Sequence, residues 1–241
     1  ISSDKTSDIQ IEQQSITFKE LQPKSDSNFD LFSSKKYTEI YKKHIGSFVL
    51  INGNKLLYEP DPKIKLPNLI TYIFSNVFSY LLYQRGHLVI HASAIEIHGS
   101  SYFFSGRSGV GKSTFVNKLL KYGNFLTEDA CCFNKDANSF SILPGLNFIK
   151  LSNDSEIQNY SNSFDTQIDY RKRKIISIGS NSSNENNKFK CGFFLKYGKD
   201  KKIEKLESGE VLKAFLANMK ASYPNNIFIE EQKITLKKIT E

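Results

Sequence analysis

The chain has 241 residues, and 39% of them are hydrophobic, which suits one full domain with an accessory region or two small domains. This composition excludes a wholly disordered chain, and six prolines with thirteen glycines exclude collagen-like and linker-like sequences. The formal net charge of +8 is compatible with a nucleic acid, a membrane surface or a phosphorylated ligand, and equally with a lysine-rich surface that binds nothing.

The cysteine pattern predicts a reducing compartment, and we expect a cytoplasmic protein. Cys131 and Cys132 are adjacent, and no Cys or Cys/His spacing predicts a disulfide framework or a zinc site. No signal peptide is expected from residues 1–4. The most apolar segment, 69–83, has about 15 residues and includes polar ones, whereas a membrane span needs about 20. We predict a buried helix there and no membrane association.

Residues 1–64 are predicted to form an N-terminal arm and a hairpin region. The polar segment 1–30 contains one alternating stretch that suits a first strand. The apolar runs within 47–59 flank Asn52 and Gly53, and this pair predicts a β-hairpin because it readily adopts the positive φ values of a tight turn.

Residues 65–241 are predicted to form an α/β domain. A helix is expected from Pro67 to about Gly86. The following order of strands, glycine loop, helix and strand is typical of an α/β sheet. The expected strands are 88–90, 92–97, 102–104, 125–126, 147–151 and 190–196. The expected helices are 112–122, with Phe115, Leu119 and Leu120 buried, and 208–221, with Val211, Leu212, Phe215, Leu216 and Met219 on one apolar face.

One segment matches the phosphate-binding pattern G-x-x-x-x-G-K-[ST]. Its residues are the candidate nucleotide ligands Gly106, Arg107, Ser108, Gly109, Val110, Gly111, Lys112, Ser113 and Thr114. The glycines let backbone N–H groups turn inward around a phosphate, and the helix that follows points its positive end at the same anion. Lys112 is expected to reach the β- and γ-phosphates, and the Ser113 hydroxyl is expected to bind Mg²⁺.

The expected nucleotide is ATP. A GTPase normally carries Asn-Lys-x-Asp after a strand to read guanine, whereas the segment 134–136 is one residue short of that pattern. We therefore predict ATP and Mg²⁺ as the ligands.

Glu128 and Asp129 follow an apolar strand, and the carboxyl ends of strands in such sheets line the ligand crevice. One acid is expected to hold Mg²⁺, directly or through water, and the other to accept a proton from the nucleophile. Successive strand residues point to opposite faces, so only one acid should share a side with His91. We assign the base to Asp129, whose short side chain leaves room for a hydroxyl, and the metal to Glu128; the alternative is an exposed acidic turn.

His91 ends a very apolar run and is followed by small residues, on a strand expected to lie beside the phosphate site. It is a candidate catalytic residue, although a histidine at a strand end is more often part of a packed core.

The segments 90–95, 104–113 and 126–129, together with Gly99 and Gly123, resemble the HPr kinase/phosphorylase family. They are most similar to single-domain HPr-kinase-like proteins such as lasso peptide kinases. The resemblance implies a P-loop kinase fold of the phosphoenolpyruvate-carboxykinase-like type, with a mixed sheet and flanking helices. It also implies these roles: His91 in the active site, Lys112 on the phosphates, Ser113 on Mg²⁺, and Glu128 or Asp129 as the base.

The family also uses a downstream arginine near the transferred phosphate, and the basic cluster 171–174 supplies Arg173 as the candidate. The alternative for this cluster is a solvated face. Enzymes that phosphorylate HPr carry a glycine-rich signature with a metal-binding glutamate, for which this sequence offers only Asp154, Glu156 and Asp165. The expected acceptor is therefore a peptide or small-molecule hydroxyl rather than HPr.

Together these patterns predict an ATP-dependent kinase that phosphorylates a hydroxyl, with Ser or Thr on a peptide or protein as the acceptor. They predict no nucleic-acid partner and allow a homo-oligomer. The alternative is an ATP-binding regulatory module with little catalytic activity. A third hypothesis, a nucleic-acid-binding ATPase, rests only on the positive charge, because no basic stripe interleaved with aromatic residues supports it.

Overall fold

The computed structural model describes residues 9–135, 139–152, 167–169, 171–178, 187–220 and 230–240. The fold is mixed α/β, which confirms the class predicted from the sequence. The chain separates into two compact units: unit 1 is residues 1–87 with 221–229, and unit 2 is residues 88–220 with 230–241. The helical segment after Pro67 therefore belongs to unit 1, while the expected domain boundary after residue 64 stays a prediction.

Unit 1 contains a five-stranded sheet. Its strands are β1 (Gln10–Gln13), β2 (Phe29–Ser33), β3 (Tyr37–Lys42), β4 (Gly46–Ile51) and β5 (Lys55–Pro60). Their order is β1-β5-β4-β3-β2, with β1 parallel to β5 and all other neighbours antiparallel. The predicted hairpin is confirmed as β4–β5, with Asn52 and Gly53 at φ values of 52° and 70°. The hairpin β2–β3 is not predicted, because its turn, 34–36, contains no glycine.

The helix predicted after Pro67 is present as three consecutive segments. They are α1 (Leu66–Tyr72), a π-helical turn (Ile73–Val77) and α2 (Phe78–Gln84). Gln84 ties α2 to the sheet, since its amide oxygen accepts the Gly53 N–H at 2.7 Å and its amide nitrogen donates to the Thr38 hydroxyl at 3.0 Å. No helix in the described part of the chain is long and apolar enough to cross a membrane.

The described residues of unit 2 form a seven-stranded mixed sheet, a three-stranded sheet and three helices. The strands are β6 (Leu88–Ile90), β7 (Ala92–Ile97), β8 (Ser100–Gly106), β9 (Asn124–Thr127), β10 (Cys131–Lys135), β11 (Phe140–Ile142), β12 (Phe148–Leu151), β13 (Gln167–Ile168), β14 (Lys174–Ser177) and β15 (Asn187–Leu195). The helices are α3 (Lys112–Leu119), α4 (Ser208–Ala217) and α5 (Glu230–Thr240). The large sheet has the order β6-β10-β11-β15-β8-β7-β9, and the small one β12-β14-β13.

The position of β7 brings three chain segments together. This strand lies between β8 and β9 and runs antiparallel to both, so β8 and β9 are parallel to each other. Ala92 pairs with Ser105, and Ala94 pairs with Thr127. The beginning of β7 therefore lies beside the carboxyl ends of β8 and β9.

Helix α3 packs against β7, β8 and β12, and of its predicted buried face Leu120 is buried and Leu119 packs against the core. Val116 and Leu120 are buried in this core, whereas Phe115 is 45% exposed, so the prediction that Phe115 is buried was wrong. Its ring still contacts Phe104, with centroids 4.8 Å apart. The helix ends at Leu119 rather than near residue 122, because the chain turns there toward β9.

An aromatic cluster lies around β8 on the other face of the large sheet. The ring of Phe103 on β8 lies with its centroid 5.6–5.8 Å from those of Phe133, Phe189, Phe194 and Phe215. Phe215 is the buried residue of α4, while Leu212 and Leu216 are 39% and 44% exposed. The predicted apolar face of this helix is therefore only partly buried, because Phe215 alone reaches into the cluster.

Gly192 on β15 gives a test of this packing, because it pairs with Phe103 and a Cβ there would overlap the Phe103 ring. We expect Gly192→Ala to lower the free energy of unfolding by about 1–3 kcal/mol, measured by urea denaturation, since extra volume in a packed core forces atoms apart. The control is Gly209→Ala in α4, where a Cβ would meet nothing within 4 Å. An equal loss in both variants would contradict the packing explanation.

Candidate functional site

The phosphate-binding pattern, residues 106–114, forms the turn between β8 and α3 together with the first residues of that helix, and is named the phosphate loop. Gly106, Gly109 and Gly111 have φ values of 138°, 85° and 100°, in the region where a side chain would strain the backbone. A Cβ at Gly109 or Gly111 would meet no atom within 4 Å, so the space beside the loop is open. This geometry fits a cradle of backbone N–H groups for phosphate at the beginning of α3.

Lys112 and Ser113 are the first two residues of α3 and carry the polar side chains of the motif. The Lys112 ammonium is buried and donates to the carbonyls of Gly106 at 2.9 Å and Arg107 at 3.2 Å. Burial lowers the pKa of Lys112, against the opposing effect of the nearby acids. The Ser113 hydroxyl donates to Oε1 of Glu128, which joins the loop directly to the acid pair.

Glu128 and Asp129 form a tight turn immediately after β9. Asp129 has a φ of 66°, and the Ala130 N–H donates to the Glu128 carbonyl at 2.8 Å. Strand alternation therefore does not apply to the two acids, because the strand ends at Thr127. Both carboxylates instead reach Lys150 on β12: its backbone N–H donates to Oε2 of Glu128, and its ammonium to Oδ2 of Asp129.

His91 lies between β6 and β7, on the side of Asp129. Its Nε2 is 3.3 Å from Asp129 Oδ1. The main chain of His91 is held on both sides, since its N–H donates to the Asn218 carbonyl at 2.7 Å and its carbonyl accepts from the Ser105 hydroxyl at 2.8 Å. Burial lowers the pKa of His91 and outweighs the carboxylate, so the imidazole is neutral at pH 7 and donates through Nε2–H.

The two adjacent acids have opposite electrostatic environments. Burial by itself would raise the pKa of Asp129, but the charges of Lys220 and Lys150 and the hydrogen bonds from His91 and Lys150 hold it well below its usual range. Burial, reinforced by the Asp129 charge, raises the pKa of Glu128 to about 7. Near neutral pH, Asp129 is therefore ionised, whereas Glu128 is partly protonated.

Lys220 completes the positive charge around Asp129. Burial and the charges of Lys150, Arg171 and Arg173 together lower its pKa to about 8, against the opposing pull of Asp129. Its backbone N–H donates to the Val89 carbonyl at 3.1 Å, which fixes this segment beside β6.

Part of the basic cluster 171–174 forms a turn that joins β13 to β14. The buried carboxylate of Asp169 accepts the N–H groups of Arg171 at 2.9 Å and Arg173 at 2.8 Å, and pairs with the Arg173 guanidinium at 2.7 Å. Burial opposes the charge of Arg173, but Asp129, Asp169 and Glu128 outweigh it and raise its pKa. The charge of Arg173 therefore interacts with those of the acid pair, whereas the side chains of Arg171 and Lys172 are exposed.

Four residues of this site are not predicted from the sequence. They are Lys150, Asp169, Tyr197 and Lys220. Tyr197 is 81% exposed, yet its hydroxyl donates to the Gly109 carbonyl of the phosphate loop at 2.6 Å. Among the four, Lys150 carries a sequence signal, because it is a lone charge within the apolar strand 148–151.

The residues fit a magnesium ion that arrives with a nucleotide. In the described ranges, no group of three or more His, Cys, Asp or Glu residues is arranged to hold a metal ion by itself. Mg²⁺ bound to a nucleotide keeps several waters and takes one or two protein ligands beside the phosphates. Ser113 and Glu128 offer such oxygens side by side. The stand-in acids Asp154, Glu156 and Asp165 lie outside the described residues.

Comparison with known proteins gives a distant similarity at the level of solved structures. No protein-family model matches the chain, and no curated protein matches it in sequence. Among solved structures, the chain is similar to the HPr(Ser) kinase/phosphatase from Coxiella burnetii, with 12% sequence identity and a TM-score of 0.35. The match covers 48% of this chain and 70% of that one.

The raised pKa of Glu128 predicts a pH-dependent stability difference between the wild type and Glu128→Gln. In the folded state the pKa of Glu128 is about 7, against the ordinary 4.5. Proton binding by Glu128 therefore stabilises the fold fully below pH 4.5, and this stabilisation is lost as the pH rises through about 7. From pH 5 to pH 8 the wild type should therefore lose on the order of 2 kcal/mol of unfolding free energy relative to Glu128→Gln.

The measurement is urea denaturation of both proteins at several pH values. The exposed Glu204, replaced by Gln, is the matched control and should give no such pH dependence. If the wild type and Glu128→Gln differ in unfolding free energy by the same amount at pH 5 and at pH 8, the raised pKa of Glu128 is excluded.

Proposed function

We propose that this protein is an ATP-dependent kinase of the HPr-kinase-like type, with the P-loop fold of that family. It transfers the γ-phosphoryl group of ATP to a hydroxyl, with Ser or Thr on a peptide or protein as the acceptor class. The cytoplasm is the proposed compartment, and nucleic acid and membranes are not partners. Self-association stays a prediction.

One observation carries this proposal: the acid pair touches both the phosphate loop and the histidine. Glu128 accepts a hydrogen bond from Ser113 of the loop, and Asp129 Oδ1 lies 3.3 Å from His91 Nε2. A module that only binds ATP requires the loop, whereas a kinase also requires a proton acceptor beside the γ-phosphate. The resemblance of the same segments to HPr kinases agrees with this assignment.

The chain's own residues hold the triphosphate. The backbone N–H groups between Gly109 and Ser113 and the ammonium of Lys112 bind the phosphate oxygens, in the open space that the glycines leave. Ser113 and Glu128 would hold Mg²⁺, which would supply positive charge to neutralise the β- and γ-phosphates. Arg173, fixed by Asp169, adds positive charge on the acid side of the site.

The chemical step is an in-line displacement at the γ-phosphorus. The acceptor oxygen forms a bond to phosphorus, while the bond between phosphorus and the β,γ-bridging oxygen breaks and ADP leaves with that electron pair. The acceptor proton passes to Asp129. A carboxylate of low pKa suits this task because the transition state is loose, so little proton removal is needed before the new bond forms. His91 holds Asp129 Oδ1 in place.

The second candidate is an ATP-binding regulatory module, and the strong pairing of Asp129 favours it. A carboxylate held by two lysines and a histidine is a weak base, which suits slow turnover. The two functions separate in one assay: a kinase releases ADP faster when an acceptor is added, and the acceptor gains the mass of one phosphate. Tight ATP binding with no transfer to any member of a Ser/Thr peptide library would favour the module.

Lys112→Ala should remove phosphoryl transfer without unfolding the protein. The ammonium neutralises charge that grows in the transition state, so we expect the rate to fall by at least about 100-fold. The measurement is transfer from γ-labelled ATP, with a melting curve on the same sample. Lys118→Ala removes an exposed lysine from the same helix and should keep normal activity. Near-normal turnover of a folded Lys112→Ala would exclude the loop as the phosphate site.

Replacing each acid by its amide should separate their roles. Asp129→Asn should slow transfer by about 10²–10⁴-fold with Mg·ATP affinity nearly unchanged, because a base acts only as the proton leaves. Glu128→Gln should first raise the Mg²⁺ concentration needed for half-maximal activity. The measurements are initial rates at varied Mg²⁺ and ATP binding by calorimetry. The reverse pattern would exchange the two assignments.

A further inference from the structure

Lys150 is a buried charge with no part in the mechanism above. Its side chain has 0% exposure, on a strand whose other residues are Phe148, Ile149 and Leu151. Burying an ammonium in apolar surroundings is costly unless excellent partners compensate it. The two acids after β9 are such partners of Lys150.

Two different parts of Lys150 bind the two acids. The backbone N–H donates to Oε2 of Glu128, and the ammonium binds Oδ2 of Asp129. Since β12 is an edge strand of its small sheet, this N–H can face the acids rather than a neighbouring strand.

Each carboxylate thus has one oxygen bound to Lys150, while its other oxygen contacts a further residue of the site. The remaining oxygen of Glu128, Oε1, accepts from the Ser113 hydroxyl, and that of Asp129, Oδ1, faces His91. A residue that only neutralised charge would not need to bind one oxygen of each carboxylate and leave the other oxygen to Ser113 or His91. The arrangement sets the orientation of both carboxylates, because each plane is held at its two oxygens.

We propose that Lys150 is a positioning residue that gives the two adjacent acids their separate orientations, Glu128 toward the phosphate loop and Asp129 toward His91. This inference rests on the proposed kinase function. It has an asymmetric consequence, because the contact to Glu128 is made by the backbone and the contact to Asp129 by the side chain. A substitution at residue 150 should therefore disturb Asp129 and leave Glu128 in place.

The test is Lys150→Met, which keeps the backbone N–H and the length of the side chain but removes the ammonium. We expect kcat to fall by about 100-fold, since a misplaced catalytic group costs about that much. The KM for ATP and the Mg²⁺ concentration for half-maximal rate should change by less than about twofold, because Glu128 and Ser113 keep their contacts. Lys118→Met is the charge-matched control and should behave as the wild type.

A double-variant comparison shows whether Lys150 acts through Asp129. Asp129→Asn combined with Lys150→Met should be no slower than Asp129→Asn alone, and it should melt at a higher temperature than Lys150→Met, because no uncompensated carboxylate remains. If Lys150→Met does not fold, Lys150→Gln takes its place. Its amide can still donate to Asp129, so its kcat should lie between those of the wild type and Asp129→Asn.

Three results would overturn the inference: wild-type kcat in the residue-150 variants, an equal loss in kcat and in the response to Mg²⁺, or additive losses in the double variant. Each of these presupposes an active wild type, so the proposed function would stand. A wild type that binds ATP but transfers phosphate to no acceptor would instead overturn the proposed function, and this inference with it.

Discussion

The site depends on a single topological constraint, the insertion of β7 between two parallel strands. Because β7 runs antiparallel to β8 and β9, its first residues lie beside the last residues of both neighbours. The phosphate loop leaves the end of β8, the acid pair leaves the end of β9, and His91 precedes β7. Three segments that are distant in the chain therefore meet at one end of the sheet without any loop having to fold back over it.

The same arrangement creates an electrostatic problem, because it buries two neighbouring carboxylates. Like charges this close cannot both ionise without compensation, and the chain supplies it through Lys150, Lys220 and Arg173. The compensation is unequal: Asp129 has the charges of Lys220 and Lys150 and a hydrogen bond from His91, whereas Glu128 has the charge of Lys150, one backbone N–H and a hydroxyl. Two adjacent acids thereby acquire different protonation states, which is the usual basis for different chemical tasks.

Local patterns predicted the elements whose cause is local. The Asn52–Gly53 turn and the phosphate loop are set by residues that tolerate positive φ, and both are where the sequence places them. The burial of Phe115 was not predicted correctly, because which side of a short helix is covered depends on the strands it meets. Glu128 and Asp129 do not point to opposite faces of the sheet as successive strand residues do, because β9 ends one residue before them.

The sequence by itself determined the phosphate loop, the acid pair at a strand end and the histidine upstream, because each is written in adjacent residues with a defined chemistry. Only the tertiary structure decided which acid faces His91, and that a lysine from another sheet binds both acids. The reason is distance along the chain. Lys150 and Lys220 lie 21 or more residues from Asp129, and nothing in their own neighbourhoods requires them to approach it. Strand order and register bring them there, and the buried carboxylates make their charges necessary.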